Sequence, residues 1–272
     1  MAMSAKIDVG GRELFYEVTG TGPTVVLIHE GIADSRMWNQ QLDAFAERHR
    51  VVRYDLAGYG QSPLRPGPFS HVRDLEQLLR RLEIERTSLV GASVGGGVAL
   101  EFALTHPEAV ERLVLVGPGL SGHDWSEASQ RTDEEEERLF AAGDFDGAAE
   151  VSLRQWVDGP GQPPHRVDAE IRERVREMTL RSYELYSDVL PEGEPGPVER
   201  LYPPAGTRLG EVRAPTLILV GELDVPDILA ICDRLETGIT GARKVVIRGT
   251  AHVPNMERPE EFNRLVLEFL SG

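Results

Sequence analysis

The feature that most constrains this chain is a short apolar run that keeps returning. TVVLIH (24–29), VVRYD (51–55), TSLVG (87–91), RLVLVG (112–117), TLILVG (216–221) and KVVIRG (244–249) are near-continuous and rich in Val, Leu and Ile. A strand with one solvated face alternates apolar and polar residues; a strand covered on both faces does not. Helical patterns lie between several of these runs, at 36–48, 71–82, 95–106 and 226–237, with a last one at 259–270. Such alternation predicts an α/β fold, a parallel sheet with helices on both sides. RELFYEV (12–18) does alternate and ends at the turn TGTGP, so it reads as a strand with one solvated face.

One stretch breaks the rhythm. From 119 to 209 there is no buried-strand pattern but three helical segments, SEASQRTDEEEERLFAAG, DFDGAAEVSLRQWV and VDAEIRERVREMTLRSYELYSDVL. DGPGQPP separates the last two, and PEGEPGPVERLYPPAG leads back to the next strand. This is far too long for a simple connection between strands. It predicts a helical cap at 119–209 inserted into a core domain made of 1–118 and 210–272. The acidic run Asp133 to Glu137 reads as the solvated face of a cap helix.

The formal net charge of −16 argues against nucleic acid or an anionic membrane as a partner, since both phosphate surfaces would be repelled. MAMSAKIDVGG lacks the apolar core of a signal peptide, and no apolar run approaches the ~18 residues of a membrane span. A cytoplasmic location is therefore the default expectation. Cys232 is the only cysteine, which leaves no intrachain disulfide and no thiolate zinc cluster; it reads as a buried structural thiol.

Gly91-Ala92-Ser93-Val94-Gly95 has the form G-x-S-x-G, after a buried strand and before the small-residue helix GGGVALEFALTH. That strand–turn–helix setting is what the motif requires of a serine nucleophile. A helix N-cap is the other use of serine in such a place. A serine hydroxyl needs a neighbouring base, and His252 follows the strand in KVVIRGTAH, in a loop before the final helix. His49, His71, His106, His123 and His165 have no comparable placement. His29, ending a strand beside the expected site, reads as a hydrogen-bonding residue of the scaffold. Asp224, just past the strand TLILVG, is the acid expected to orient His252; Asp227 and Glu222 are its rivals.

VVLIHEGIADSRMW, VVRYDLAGYGQS, LVGASVGGGVAL, HPEAVERLVLVGP, PTLILVGELDVPD and TAHVPNMERPEEFN resemble, in order, the blocks of the α/β-hydrolase superfamily. The pattern is most similar to the branch of esterases, 3-oxoadipate enol-lactonase-like enzymes and cofactor-free haloperoxidases. The resemblance implies a mostly parallel eight-stranded sheet and an oxyanion hole made by the backbone N–H groups of Gly31 and Val94. It implies structural roles for Gly58, Tyr59, Gly60 and Ser62. Glu30 departs from the pattern, which has glycine there. A carboxylate aimed at the hole would oppose the oxyanion, so the Glu30 side chain is expected to turn away to a donor or to solvent. The sharper alternative has it ordering the oxyanion loop or touching a polar part of the substrate.

Together these readings predict acyl transfer on Ser93, His252 and Asp224 with no metal or organic cofactor. The expected partner is a small to medium ester or lactone, with self-association left open. Candidate substrate-binding residues are Glu30, Trp38, Trp125, Trp156 and Tyr183; Met37, Phe140, Phe145 and Tyr186 also supply apolar or aromatic surface. C–C bond hydrolysis, thioester hydrolysis or perhydrolysis on the same triad, and a non-catalytic binding protein, are the competing functions.

Overall fold

A computed structural model of the chain describes residues 3–190 and 195–272, with the backbone alone described for 195–197. The strands are β1 (Met3–Asp8), β2 (Glu13–Thr19), β3 (Thr24–Ile28), β4 (Arg50–Tyr54), β5 (Gly67–Phe69), β6 (Thr87–Ala92), β7 (Val110–Val116), β8 (Pro195–Val198), β9 (Thr216–Gly221) and β10 (Arg243–Ile247). Eight of them form one sheet in the order β1-β2-β4-β3-β6-β7-β9-β10. Its β1–β2 and β2–β4 pairings are antiparallel and the rest parallel. The expected fold class is the one observed.

The absence of alternation in the apolar runs has a direct structural cause. In β3, Val26 and Ile28 enter one hydrophobic core while Val25 and Leu27 enter the other. β7 and β9 divide in the same way, Leu113, Leu115, Ile218 and Val220 against Val114, Val116, Leu217 and Leu219. The first core is closed by residues of helices α2 (His71–Arg81), α3 (Val94–Thr105) and α7 (Pro226–Gly238). Residues of α1 (Asn39–Ala46) and α9 (Pro259–Ser271) close the second, where α8 (Pro254–Glu257) adds Met256. Cys232 lies in the first core, fully buried.

Three pieces of sheet went unread in the sequence. β1 is an edge strand whose MSAKID carries too few apolar residues to signal itself. β5 and β8 pair in parallel as a separate two-stranded sheet, and GPF and PGPV look like turns. Residues 191–194 of the expected Pro/Gly tether lie outside the described residues.

Between β7 and β9 the chain forms α4 (Glu127–Ala141), α5 (Phe145–Ser152) and α6 (Ala169–Val189), with a π-helical turn at Leu153–Asp158 continuing α5. These helices are tied to the sheet side at specific points. Thr179 donates its hydroxyl to Ile32 O at 2.9 Å, and Arg181 Nε donates to Gly60 O at 3.2 Å. Asp227 accepts from Ser126 and Ser129 at the start of α4. Among the described residues, no helix is long and apolar enough to cross a membrane.

The first turn of α3 sits hard against the end of β3. Gly95 N–H donates to His29 O at 3.1 Å. A Cβ on Gly95 would stand 2.5 Å from that same oxygen, and closer still to Ile28 O. The clash is with backbone, which has no rotamer to change, so overpacking should cost about 2 kcal/mol or more. Gly95→Ala is expected to lower the thermal unfolding midpoint, followed by circular dichroism; an unchanged midpoint would mean that α3 can move off β3 freely.

Candidate active site

Ser93 stands between the last residue of β6 and the first of α3 with φ 47° and ψ −111°. A positive φ in a non-glycine residue costs on the order of 1–3 kcal/mol and persists only where the surroundings over-determine it. Here they do. Ser93 N–H donates to Val116 O at 2.9 Å, while Ser93 O accepts from Gly97 and Gly119 N–H at 3.0 and 2.9 Å. The side chain makes no capping hydrogen bond to α3, so the N-cap alternative does not describe it.

His252 and Asp224 arrive from the loops after β10 and β9. Both are buried, and His252 Nδ1 lies 3.0 and 2.9 Å from the two Asp224 oxygens. The carboxylate accepts, so Nδ1 carries the proton and Nε2 keeps its lone pair. Nε2 is buried and has no hydrogen-bond partner among the described residues. Burial works against an imidazolium here, but the Asp224 charge and hydrogen bond, with a further contribution from Glu30, raise the His252 pKa above its ordinary 6.5. Val225 N–H donates to Asp224 at 2.7 Å, and Trp156 O accepts the His252 backbone N–H at 3.1 Å. The Trp156 ring centroid is 4.6 Å from that of His252.

The end of β7 joins the two halves. Val116 O holds the Ser93 amide, and a Cβ on the next residue, Gly117, would stand 3.1 Å from both Asp224 Oδ2 and His252 Nδ1. Gly117 also has φ 45°, so glycine answers both demands.

The rival carboxylates are engaged elsewhere. Asp227 accepts from Ser129, Ser126 and His123; burial disfavours its charge, yet these bonds hold its pKa well below the usual carboxylate range. Glu222 accepts from Gly249 N–H at 2.9 Å. His29 has the scaffold role expected of it. Leu56 N–H donates to Nε2 at 2.9 Å, which leaves Nδ1–H to donate to Glu30 O at 2.7 Å.

Gly31 and Val94 are neighbours: a Cβ on Gly31 would lie 3.2 Å from Val94 Cγ2. Val94 N–H belongs to the first turn of α3, where amides have no intrahelical acceptor. Beside Gly31 opens a cavity of about 630 Å³. Tyr59, Phe69, Phe140, Tyr183 and Tyr186 supply its aromatic surface and Glu136 and Glu137 its charge, and among the described residues neither Lys nor Arg lines it. Tyr183 donates its hydroxyl to Glu136 at 2.7 Å.

Of the candidate substrate-binding aromatics, Tyr183 lines this cavity and the three tryptophans do not. Trp38 is fully buried in the second core, 6.1 Å from Phe262 between ring centroids. Trp125 packs against the first core and stands edge-on to His123, and Trp156 covers His252. Tyr59 and Gly58, read as parts of a structural turn, line the cavity as well. So does His71, which sequence reasoning passed over; burial pushes its pKa down to about 3 and keeps it neutral.

Glu30 corrects the sequence reading most sharply. Its side chain turns neither to a donor nor to solvent: it is 0% exposed, and neither carboxylate oxygen has a partner among the described residues. Burial pushes its pKa up to about 7; His252 lowers it and Asp224 raises it. Glu30 follows the buried end of β3, and its backbone carbonyl accepts from His29 Nδ1.

Comparison with known proteins agrees with this architecture. The model of the alpha/beta hydrolase fold matches residues 23–259. An uncharacterised protein of Mycobacterium tuberculosis is 41% identical over 115 residues, which is 41% of this chain but only 33% of that protein's length. A 2-hydroxy-6-oxononadienedioate/2-hydroxy-6-oxononatrienedioate hydrolase of Paraburkholderia phymatum is 30% identical, over 96% of this chain and 92% of that one. Among solved structures, a thermophilic esterase from Thermogutta terrifontis superposes with a TM-score of 0.79 at 27% identity, covering 99% of this chain and 98% of the esterase. The chain belongs to the alpha/beta hydrolase fold family.

Proposed function

We propose that the chain is a serine hydrolase of small to medium neutral esters or lactones, with Ser93 as nucleophile, His252 as base and Asp224 as the acid that orients it. The observation that carries this reading is the buried His252–Asp224 pair with Nε2 unpartnered, packed at the end of the strand that also holds the Ser93 amide. In this reading His252 Nε2 takes the Ser93 proton as Oγ attacks the carbonyl, then returns it to the leaving alkoxide. Water, activated by the same nitrogen, releases the acid. The N–H groups of Gly31 and Val94 stabilise the tetrahedral oxyanion, a contribution of typically ~3 kcal/mol per donor, and the positive end of α3 adds to it. The helices between β7 and β9 act as a cap, with Phe140, Tyr183 and Tyr186 over the bound acyl or alcohol group.

The cavity's charge supports neutral substrates. The Paraburkholderia relative is named for dioate substrates, which carry negative charge, whereas Glu136 and Glu137 here would repel a substrate carboxylate, with no Lys or Arg among the described residues lining the cavity to pair it. The Thermogutta esterase, similar over nearly the whole length, supports ester cleavage, and the Paraburkholderia hydrolase, similar over a comparable share, keeps C–C bond hydrolysis as the second reading.

Ser93→Ala is expected to abolish release of p-nitrophenol from p-nitrophenyl butyrate, while Asp224→Asn, which puts the His252 tautomer wrong, lowers kcat by about 10⁴. Since the neutral imidazole is the base and its pKa is raised, kcat/KM should fall as pH drops below neutrality; a rate held constant from pH 8 to pH 5 would contradict the role of His252. A p-nitrophenyl hemisuccinate ester should be hydrolysed at least about tenfold less efficiently than the butyrate, equivalent to about 1.4 kcal/mol, with Glu137→Gln narrowing the gap. Equal kcat/KM for the two esters would remove the charge argument.

A further inference from the structure

Glu30 is a buried ionisable group that the acyl-transfer scheme does not use. Its carboxyl is completely enclosed, both oxygens lack a protein partner, and it occupies the residue before Gly31, which lines the cavity. The charged groups acting on it come from two other loops, His252 after β10 and Asp224 after β9. This carboxyl and His252 Nε2 are two buried polar groups without partners among the described residues, and Glu30 directly precedes Gly31 at the cavity wall. A buried polar group left without a partner costs on the order of 1–3 kcal/mol, more if charged, and a chain retains such a group where a ligand satisfies it.

Resting on the serine-hydrolase reading, we propose that Glu30 works as a protonated acid, its O–H donating a hydrogen bond to an oxygen of the bound ester next to the scissile bond. The proton stays on Glu30 throughout, so the balance of acyl transfer is unaltered. The neutral form is the competent one for a simple electrostatic reason. An ionised Glu30 beside the Gly31 N–H would place a negative charge next to the forming oxyanion, in a water-poor site where such repulsion is poorly screened. Protonated, it adds a donor there.

The state of Glu30 follows from its surroundings. Burial favours the neutral acid and Asp224 reinforces it, whereas a charged His252 favours the carboxylate; the balance lies near pH 7. Glu30 and His252 attract one another when both are charged, so their protons leave in two macroscopic steps that belong to the pair. With His252 required neutral and Glu30 required protonated, activity peaks in a narrow range around neutrality. Both arms belong to the pair, the acid one marking loss of the neutral imidazole and the alkaline one loss of the Glu30 proton. A triad acting alone would rise to a plateau instead.

The test is the pH dependence of kcat/KM for p-nitrophenyl butyrate in the parent chain, Glu30→Gln and Glu30→Ala. The parent should lose activity on the alkaline side by about tenfold per pH unit beyond the arm, the slope of one ionisation. Glu30→Gln keeps a donor of similar shape that cannot ionise, so it should hold its rate from neutral to alkaline pH. Its acid arm should stay in place or rise slightly, because the competent parent already has His252 beside a neutral Glu30 and the pair's first proton leaves at or below the value of that histidine. Glu30→Ala adds no atoms and guards against misfolding of the Gln variant; it should also lose the alkaline arm, with a kcat at least tenfold below that of Glu30→Gln. A parent profile flat above neutrality, or an alkaline arm kept in both variants, would overturn the role of Glu30 and leave the triad standing. Failure of the serine-hydrolase reading has a separate signature, persistence of hydrolysis in Ser93→Ala.

Discussion

The tight passage of the chain through Ser93 is the constraint on which the rest of the site depends. The residue is forced to positive φ by hydrogen bonds to both its N–H and its C=O, and α3 begins without an intervening loop. For this to be possible α3 must approach the end of β3 so closely that Gly95 touches the carbonyls of Ile28 and His29. The strain at Ser93 is therefore supported by contacts in three strands, β3, β6 and β7. The Val94 side chain at the start of α3 lies beside Gly31, and at the end of β7 Gly117 stands against the His252–Asp224 pair.

From that geometry the electrostatics follow. Asp224 is buried against His252 with its own amide neighbour, Val225, satisfying one oxygen, which fixes the imidazole orientation without leaving a buried charge alone. Glu30 is the opposite case. It is enclosed without a partner among the described residues, and burial pushes its pKa up to about 7.

Much of the scaffold was legible because each of its signals is local. Runs such as TLILVG lack alternation because their successive residues enter two different cores, and the G-x-S-x-G turn carries its strand and helix on either side. Asp224 was separable from Asp227 only by long-range contacts, since Asp227 is held by Ser126 and Ser129 about 100 residues earlier. Cavity-lining residues were less legible for the same reason. Trp38 and Tyr183 are equally plausible aromatic contacts in a one-dimensional reading, yet one packs on Phe262 and the other on Glu136. Tyr59 and His71 reach the cavity from segments with no pattern that marks a pocket wall. The edge strand β1 and the small β5–β8 sheet escaped notice because exposed or Pro/Gly-rich strands do not announce themselves by hydrophobic pattern.

The central claim, that this strained serine is an activated nucleophile, is tested most directly by covalent trapping. The folded chain would be treated with a fluorophosphonate and its peptides mapped by mass spectrometry, at neutral pH and again at a pH low enough to charge His252. The account predicts one stoichiometric phosphonyl adduct on Ser93, formed rapidly at neutral pH and much more slowly in acid. No adduct, or an adduct on another serine with Ser93 untouched, would contradict it.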